Sequence, residues 1–216
     1  MILRVIGKVF IATGVVILLF VGYELFGTNL VTNRHQDALA SQLEAEWRPQ
    51  PASPPEASPT PGAAPSLQPS PSAEPSRKLD PGRGMAIIHI PKIGVEQVVV
   101  EGVSVDVLKK GPGHVPGTAS PGQGGNMVIS GHRTTYGAPF KRLDELEAGD
   151  EISLTTMQGR FLYLVTDTRI VAPTEVSILN PTIDSRLTLT TCHPKFSDRQ
   201  RLVVLARFLG MEARAA

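Results

Sequence analysis

The longest uninterrupted hydrophobic run of this chain lies at its N-terminus. The first 27 residues read MILRVIGKVFIATGVVILLFVGYELFG, and no charge occurs from Val9 to Tyr23. With its flanks, this run reaches about the 20 residues that a membrane helix needs. Arg4 and Lys8 precede it and Glu24 follows it, so the positive-inside rule puts the N-terminus in the cytoplasm. No small-x-small cleavage site follows, which favours an uncleaved signal anchor over a removed signal peptide. We therefore predict a cytoplasmic tip and a single membrane helix within residues 1–27.

Residues 28–48, TNLVTNRHQDALASQLEAEWR, carry a weaker hydrophobic pattern. Leu39, Leu43 and Trp47 recur at positions i, i+4 and i+8, which predicts a short amphipathic helix. Such a juxtamembrane helix could lie along the membrane or self-associate, and the alternative that we favour is a solvated stalk. His35 has no carboxylate or cysteine partner at ligand spacing, so we interpret it as a surface residue.

Residues 49–81 are rich in proline, alanine and serine, and 11 of the chain's 19 prolines fall there. Such a stretch cannot bury enough apolar area to fold and takes extended, polyproline-like conformations. We predict a disordered linker that acts as a spacer and holds the following domain away from the membrane.

Residues 82–210 form the one segment able to build a core, and residues 211–216 are expected to be a tail. Short β-branched runs alternate there with Gly, Pro, Asp and Asn, which predicts strands. The runs are MAIIHIP, VEQVVVEG, NMVISGH, EISLTT, RFLYLVTDTRIVA, RLTLTTC and LVVLARFL. Short helices fit SVDVLKKG, APFKRLDELE and EVSILN. The pattern predicts a mainly β fold, a mostly antiparallel barrel with helical decorations.

Composition narrows the possible partners. The formal net charge is +1 and aromatic residues make up 5% of the chain. Without a basic stripe or base-stacking aromatic residues, the sequence argues against nucleic-acid binding.

The single cysteine, Cys192, ends the run TLTTC. One cysteine cannot form an internal disulfide, and a lone cysteine is commonly a small buried hydrophobic residue. Strand alternation, however, puts its thiol on the face opposite Leu187 and Leu189, at the exit of the strand. That location is typical of a nucleophile presented by a scaffold.

A thiol needs activation, because the thiolate is the reactive form, and histidine is the usual activator. His132 ends another strand, in NMVISGH, and is the best partner by elimination. The other histidines lie in the stalk, inside a barrel strand, in a turn, or next to the cysteine but pointing away from it: His35, His89, His114 and His193.

Attack on a carbonyl creates an oxyanion that must be stabilised. Arg201 opens the strand that follows the loop after Cys192, and two adjacent strands would bring it beside the thiol. Arg199 lies within the loop and Arg207 inside the strand, so Arg201 is the better candidate. The alternative is that all three arginines are ordinary surface charges.

At these residues the chain resembles the sortase family of cysteine transpeptidases. TLTTC, the arginine that opens the next strand and the upstream SGH carry the resemblance, which extends over residues 85–209. It implies an eight-stranded sortase β-barrel with Cys192 as nucleophile, His132 as acid/base, and Arg201 as oxyanion and substrate clamp. It implies no cofactor and no metal. The chain is most similar to class E housekeeping enzymes of actinobacteria in the stretches GHRTTYGAPF and TTCHP and in the Ala/Pro-rich segment before the domain.

The resemblance implies a reaction in two halves. Cys192 would attack the Thr–Gly bond of an LPxTG- or LAxTG-like sorting signal on a secreted protein. An amine of a cell-wall precursor of the lipid II type would then resolve the thioester. The enzyme would sit in the cell membrane with its catalytic domain outside.

Other interpretations stay open at this point. A pilin-polymerising class C enzyme usually has a lid with an Asp-Pro-aromatic motif and a second membrane helix, whereas Asp80 and Pro81 lack the aromatic and the chain ends at Ala216. A cysteine protease would use water in place of the amine. A non-catalytic, zinc-binding wall module would use Cys192, His193, His132 and His114, although adjacent Cys-His is poor ligand spacing.

A serine nucleophile and calcium activation find less support. Ser130 in ISGH lacks the second glycine of a nucleophile elbow and is better interpreted as the end of a strand. No acidic cluster suggests a calcium site.

Overall fold

The short β-branched runs of the C-terminal region, separated by turn residues, fold into a closed barrel of eight strands. The computed structural model describes residues 2–22, 28–48 and 79–213. In chain order the elements are α1 (Ile2–Gly22), α2 (Thr28–Trp47), β1 (Gly84–Ile90), β2 (Val95–Glu101), α3 (Val105–Leu108), β3 (Gly113–His114), β4 (Gly125–Ser130), β5 (Glu151–Thr155), β6 (Gly159–Val171), β7 (Ser185–His193) and β8 (Gln200–Ala213). The mainly β, eight-stranded fold is therefore confirmed.

The strands neighbour one another in the order β1-β2-β3-β4-β7-β8-β6-β5. All pairings are antiparallel except β2 with β3 and β4 with β7, which are parallel. Alternate residues of each strand fill the interior, as in β1, where Ala86, Ile88 and Ile90 are fully buried. The parallel β4–β7 pair matters most for the site, because it brings the ends of two distant strands to the same edge of the barrel.

Several element predictions need correction. The two-residue strand β3 was not predicted, because two residues cannot display an alternating pattern. The runs APFKRLDELE and EVSILN form 3-10 turns at Leu143–Glu145 and Val176–Leu179 in place of α-helices. Residues 211–213, predicted as part of a tail, extend β8 and pair with the start of β6.

Helix α1 contains one stretch long and apolar enough to cross a membrane. The stretch Arg4–Gly22 has 19 residues and a mean hydropathy of 2.4, and none of it is buried within the described residues. A helix of this length and composition suits a bilayer core.

Helix α2 is not the solvated stalk that we favoured. Leu39 and Leu43 are buried against Val98, Val100 and Val107 on the outside of the barrel. The i, i+4 spacing of the two leucines does mark the contacting face, but the surface it contacts is the barrel of the same chain. His35, expected on the surface, is exposed.

The linker predicted over residues 49–81 is described only at its C-terminal end. Residues 49–78 lie outside the described residues, so the predicted disorder is not addressed. Before and after this stretch, Glu46 and Arg83 are joined by two hydrogen bonds, in which Arg83 donates at 3.1 and 3.0 Å.

Candidate active site

Cys192 lies one residue before the end of β7, on the outer face of the barrel. Leu187 and Leu189 of the same strand belong to the interior core, and alternation turns Cys192 outwards. Its side chain is half-buried and forms no disulfide. In the antiparallel β7–β8 pair, Cys192 stands directly opposite Arg201. The two residues therefore point to the same side of the sheet, as the short loop between them predicted.

His132 reaches the same place through the parallel pairing of β4 with β7. Ser130 stands opposite Thr190, and the alignment continues past the end of β4. The amide of Gly131 donates to the carbonyl of Thr190 at 3.1 Å, and Thr191 Oγ1 donates to the Gly131 carbonyl at 2.7 Å. His132 is consequently level with Cys192 on the adjacent strand. The structure thus brings all three sequence-predicted residues to one edge of the barrel.

The imidazole of His132 packs beside an aromatic ring, and one of its nitrogens makes no hydrogen bond to the described residues. Its ring lies 5.1 Å from the ring of Tyr136, and within the described part of the chain its buried Nε2 has no hydrogen-bond partner. Burial lowers the pKa of His132 from its ordinary value of 6.5, since the charged form loses hydration. An unpaired, neutral imidazole nitrogen at this position can accept a proton.

Close packing fixes the backbone just before and after His132. The amide of Phe140 donates to the His132 carbonyl at 3.1 Å, which closes the loop. A Cβ at Gly131 would lie 2.6 Å from Cδ2 of the fully buried Phe140, so only glycine allows this approach. The glycine of the SGH motif therefore has a packing role.

Arg201 is held by the loop that connects β7 to β8. Its Nη1 donates to the carbonyls of Asp198 and Gln200, at 2.7 and 3.1 Å. These bonds restrain a permanently charged guanidinium on the strand that faces Cys192.

Arg133 is the main residue at the site that sequence reasoning missed. Its side chain is only 2% exposed, and Nη2 lies 3.0 Å from Asp144 Oδ2. Its Nη1 donates to the carbonyl of Cys192 at 3.2 Å and pairs with His193 Nδ1 at 2.8 Å. Because arginine has donors only, His193 accepts this bond through an unprotonated Nδ1. Arg133, the residue after His132, thus connects the loop that carries His132 to the backbone of Cys192. No local signal in the sequence marks Arg133, because its partners Asp144 and Cys192 come from other segments.

The carboxylate that completes this network is kept ionised. Partial burial by itself raises the pKa of Asp144, but its own backbone amide and the charges of Arg133 and Lys195 together hold that pKa below its usual value. The buried guanidinium therefore has a charged partner at neutral pH.

The remaining histidines lie elsewhere. His114 is buried and structural as expected, with Nδ1 2.7 Å from Glu101 Oε2 and Nε2 2.9 Å from Thr118 Oγ1, but it lies in β3, not in a turn. His89 is on the outer face of β1, beside Trp47 of α2. Among the described residues, no group of three or more His, Cys, Asp or Glu side chains could hold a metal ion.

A groove of about 390 Å³ runs along the same outer face that carries Cys192. Strands β4, β6, β7 and β8 form its floor, and the segment from Glu175 to Thr182 forms its wall. Lining residues include Asn126, Arg169, Val171, Ile178, Thr188 and Leu205. On the floor strand between the groove and Cys192 lies Thr190, whose buried Oγ1 has no partner in the described ranges. An extended peptide could follow this groove towards the thiol.

Comparison with known proteins gives one consistent result. Residues 88–209 match the family described as the Sortase domain. Sortase SrtE1 of Streptomyces coelicolor is 32% identical over 98% of this chain and 58% of the relative, so the chain spans a little over half of that protein. Sortase D of Bacillus subtilis is 35% identical over 88% of this chain and 89% of the relative.

Solved structures agree with the sequence relatives. The crystal structure of Sortase E1 from Streptomyces coelicolor with a tripeptide in the active site is 31% identical, with a TM-score of 0.58. It covers 62% of this chain and 92% of that chain. The expected similarity to class E sortases of actinobacteria is confirmed. From its barrel, from its matched domain and from these relatives, the chain belongs to the sortase family of cysteine transpeptidases.

Proposed function

We propose that this protein is a membrane-anchored sortase that cleaves an LPxTG- or LAxTG-like sorting signal between Thr and Gly. It transfers the resulting acyl group to an amine of a cell-wall precursor. The observation that carries the proposal is the convergence of His132, from the loop after β4, with Cys192 of β7 and Arg201 of β8 at one edge of the barrel. Each residue supplies one of the functions that acyl transfer to a thiol requires.

In the first half-reaction, Cys192 Sγ attacks the carbonyl carbon of the threonine. The thiol proton passes to His132, whose unpaired nitrogen is available as a base. His132 then protonates the glycine nitrogen as the C–N bond breaks, leaving a thioester on Cys192. Because burial lowers the pKa of His132, the neutral imidazole that can take this proton is favoured.

In the second half-reaction, the acceptor amine attacks the thioester carbonyl. His132 takes the proton that the amine loses, the carbon–sulfur bond breaks, and the thiol regains a proton. The product is an amide joined to the acceptor. Water in place of the amine would give hydrolysis, so access of the amine decides between transfer and proteolysis.

Arg201 stabilises the oxyanion of both tetrahedral intermediates. It faces Cys192 across β7–β8, and a guanidinium offers several N–H donors to an oxyanion. Its bonds to the Asp198 and Gln200 carbonyls keep the side chain at the rim of the site. A donor held in advance costs little reorganisation when the charge develops, which is the basis of this form of catalysis.

The groove on the outer face that carries Cys192 supports an extended peptide as substrate. Its floor combines apolar side chains such as Leu205 with polar ones such as Thr188, a mixture suited to a peptide of alternating character. The buried, unpaired hydroxyl of Thr190 would donate to a substrate carbonyl. The tripeptide described for the Sortase E1 structure from Streptomyces coelicolor supports the same kind of ligand here.

The apolar stretch in α1 supports the cellular location. We propose that Arg4–Gly22 crosses the cell membrane once, with the N-terminus in the cytoplasm and the barrel outside. There the enzyme would meet secreted proteins that carry a C-terminal sorting signal and lipid-linked amine acceptors. We propose a housekeeping role over pilin polymerisation on the resemblance of the sequence to class E enzymes.

The test uses the purified full chain in detergent micelles. LAETG- and LPETG-type peptides are incubated with and without a glycine-peptide amine, and products are identified by mass. We expect ligated peptide from the parent enzyme and none from Cys192→Ala. Cleavage without ligation in the presence of amine would favour a protease, and equal turnover by the parent and Cys192→Ala would remove the thiol from the mechanism.

A further inference from the structure

The loop that carries His132 contains an unusual backbone turn. Three successive residues, Tyr136, Gly137 and Ala138, have φ values of 51°, 75° and 41°. Left-handed conformations are unfavourable for residues with a Cβ, so this turn persists only where neighbouring groups hold it. The ring of Tyr136 lies 5.1 Å from that of His132, so the conformation of the turn bears directly on the imidazole.

The N-terminal part of α2 supplies that support. The amide of Gly137 donates to Asn29 Oδ1 at 2.9 Å, across 108 positions of sequence. Thr32, which is fully buried, lies so close that a Cβ at Gly137 would meet its methyl group at 3.1 Å. Thr32 Oγ1 also donates to the Lys109 carbonyl at 3.0 Å, and Lys109 Nζ lies 5.9 Å from the centre of the Tyr136 ring.

A second contact fixes α2 along its length. The Gln36 amide pairs with the part of β2 that lies outside its short pairing with β3: Oε1 accepts from the Val98 amide at 2.6 Å, and Nε2 donates to the Val98 carbonyl at 3.1 Å. The same Nε2 donates to the Lys110 carbonyl at 2.6 Å. The side-chain amide thus takes the place of a neighbouring strand. Buried Leu39 and Leu43 complete the docking, so α2 is a fixed part of the catalytic domain.

We propose that α2 is a positioning element for the catalytic histidine, with Asn29 and Thr32 as the positioning residues. They act on the Tyr136–Gly137 turn, and the turn acts on His132. The inference rests on the proposed catalytic role of His132.

This arrangement also connects the site to the membrane helix. Only residues 23–27 separate the end of α1 from the start of α2. Even fully extended, such a connection spans roughly 20 Å. The edge of the barrel that carries His132 is therefore kept near the membrane surface, where a lipid-linked amine would be presented.

The test compares three variants of the full chain in detergent micelles. Asn29→Leu removes the acceptor from the Gly137 amide and leaves a good helix former in an exposed position. Asn29→Asp keeps an oxygen acceptor there. Asn33→Leu makes the same chemical change at another exposed position of α2 and is the matched control.

Two rates are measured for each variant. The first is peptide ligation, as kcat and KM. The second is alkylation of Cys192 by iodoacetamide, followed by intact mass, which needs no substrate and is unambiguous because the chain has one cysteine. The parent and His132→Ala set the limits of the alkylation scale.

For Asn29→Leu we expect kcat to fall about tenfold with KM within about twofold, and alkylation to slow towards the His132→Ala rate. Asn29→Asp and Asn33→Leu should behave as the parent. Parental kcat and alkylation in Asn29→Leu, or an equal loss in Asn29→Asp, would overturn the proposal. If the parent ligates neither peptide, the substrate assignment fails, and the alkylation rates alone decide the role of α2.

Discussion

Arg133→Lys tests how the site is held together. The guanidinium of Arg133 makes three polar contacts in different directions, to the Cys192 carbonyl, His193 Nδ1 and Asp144. Lysine keeps the positive charge but offers a single nitrogen on a flexible chain, so it cannot reproduce the planar fork. We expect the ammonium to keep the bond to Asp144 and to leave the other two acceptors without this donor.

The magnitude follows from the number and burial of the lost bonds. Hydrogen bonds that involve a charged group contribute about 1.5–3 kcal/mol each. Losing two of them at the lower end of that range gives a decrease of about 3 kcal/mol in the free energy of unfolding. For a domain of this size, about 3 °C per kcal/mol makes this a fall in Tm of about 9 °C. Misplacement of the Cys192 backbone relative to His132 should also lower kcat, by roughly tenfold to a hundredfold.

The matched control is Arg142→Lys in the same loop. Arg142 pairs with Glu145, but its side chain is 50% exposed, so the pair contributes little. Thermal denaturation and peptide ligation are measured for both variants. If Arg133→Lys shifts Tm and kcat no more than Arg142→Lys does, the buried guanidinium does not organise the site and the reasoning is wrong.

Three further predictions concern His132, Thr190 and Leu43. Because burial lowers the folded-state pKa of His132, its contribution to stability is complete above pH 6.5 and is lost as the pH falls through that lower pKa. On acidification, the urea midpoint should therefore fall more in the parent than in His132→Gln. Thr190→Val removes a buried hydroxyl without a partner among the described residues, so Tm should rise by the equivalent of about 1 kcal/mol while kcat/KM for the peptide falls; an unchanged kcat/KM would exclude a substrate bond. Leu43→Asp puts a charge into the α2–barrel contact and should cost at least about 2 kcal/mol of docking free energy. Amide hydrogen exchange in α2 should become faster while the barrel stays protected, and protection of α2 equal to that in the parent would contradict the docking.

The barrel was largely predictable because its strands carry local patterns. Each of the seven predicted runs alternates or is β-branched and ends in turn residues, and each became a strand. Arg201 could also be matched with Cys192, since a short loop between adjacent strands fixes which residues stand opposite. The catalytic roles of His132, Cys192 and Arg201 stay predictions.

The docking of α2, the burial of Arg133 and the position of His132 depend on partners far away in sequence. The polar Gln36 gives no sign that its amide pairs with Val98, 62 positions later, so α2 was interpreted as a stalk. A buried Arg133 is likewise indistinguishable in sequence from a surface arginine, because its neutralising partner Asp144 comes from another turn. Proximity of His132 to Cys192 required the parallel β4–β7 pairing, which no local pattern specifies.

The most direct test of the account is amine-dependent ligation by the full chain and its dependence on Cys192. We expect a ligated product from an LAETG- or LPETG-type peptide and a glycine-peptide amine, and none from Cys192→Ala. In His132→Ala and Arg201→Ala, we expect the ligation rate to fall by orders of magnitude. Ligation at the parental rate by Cys192→Ala would contradict it.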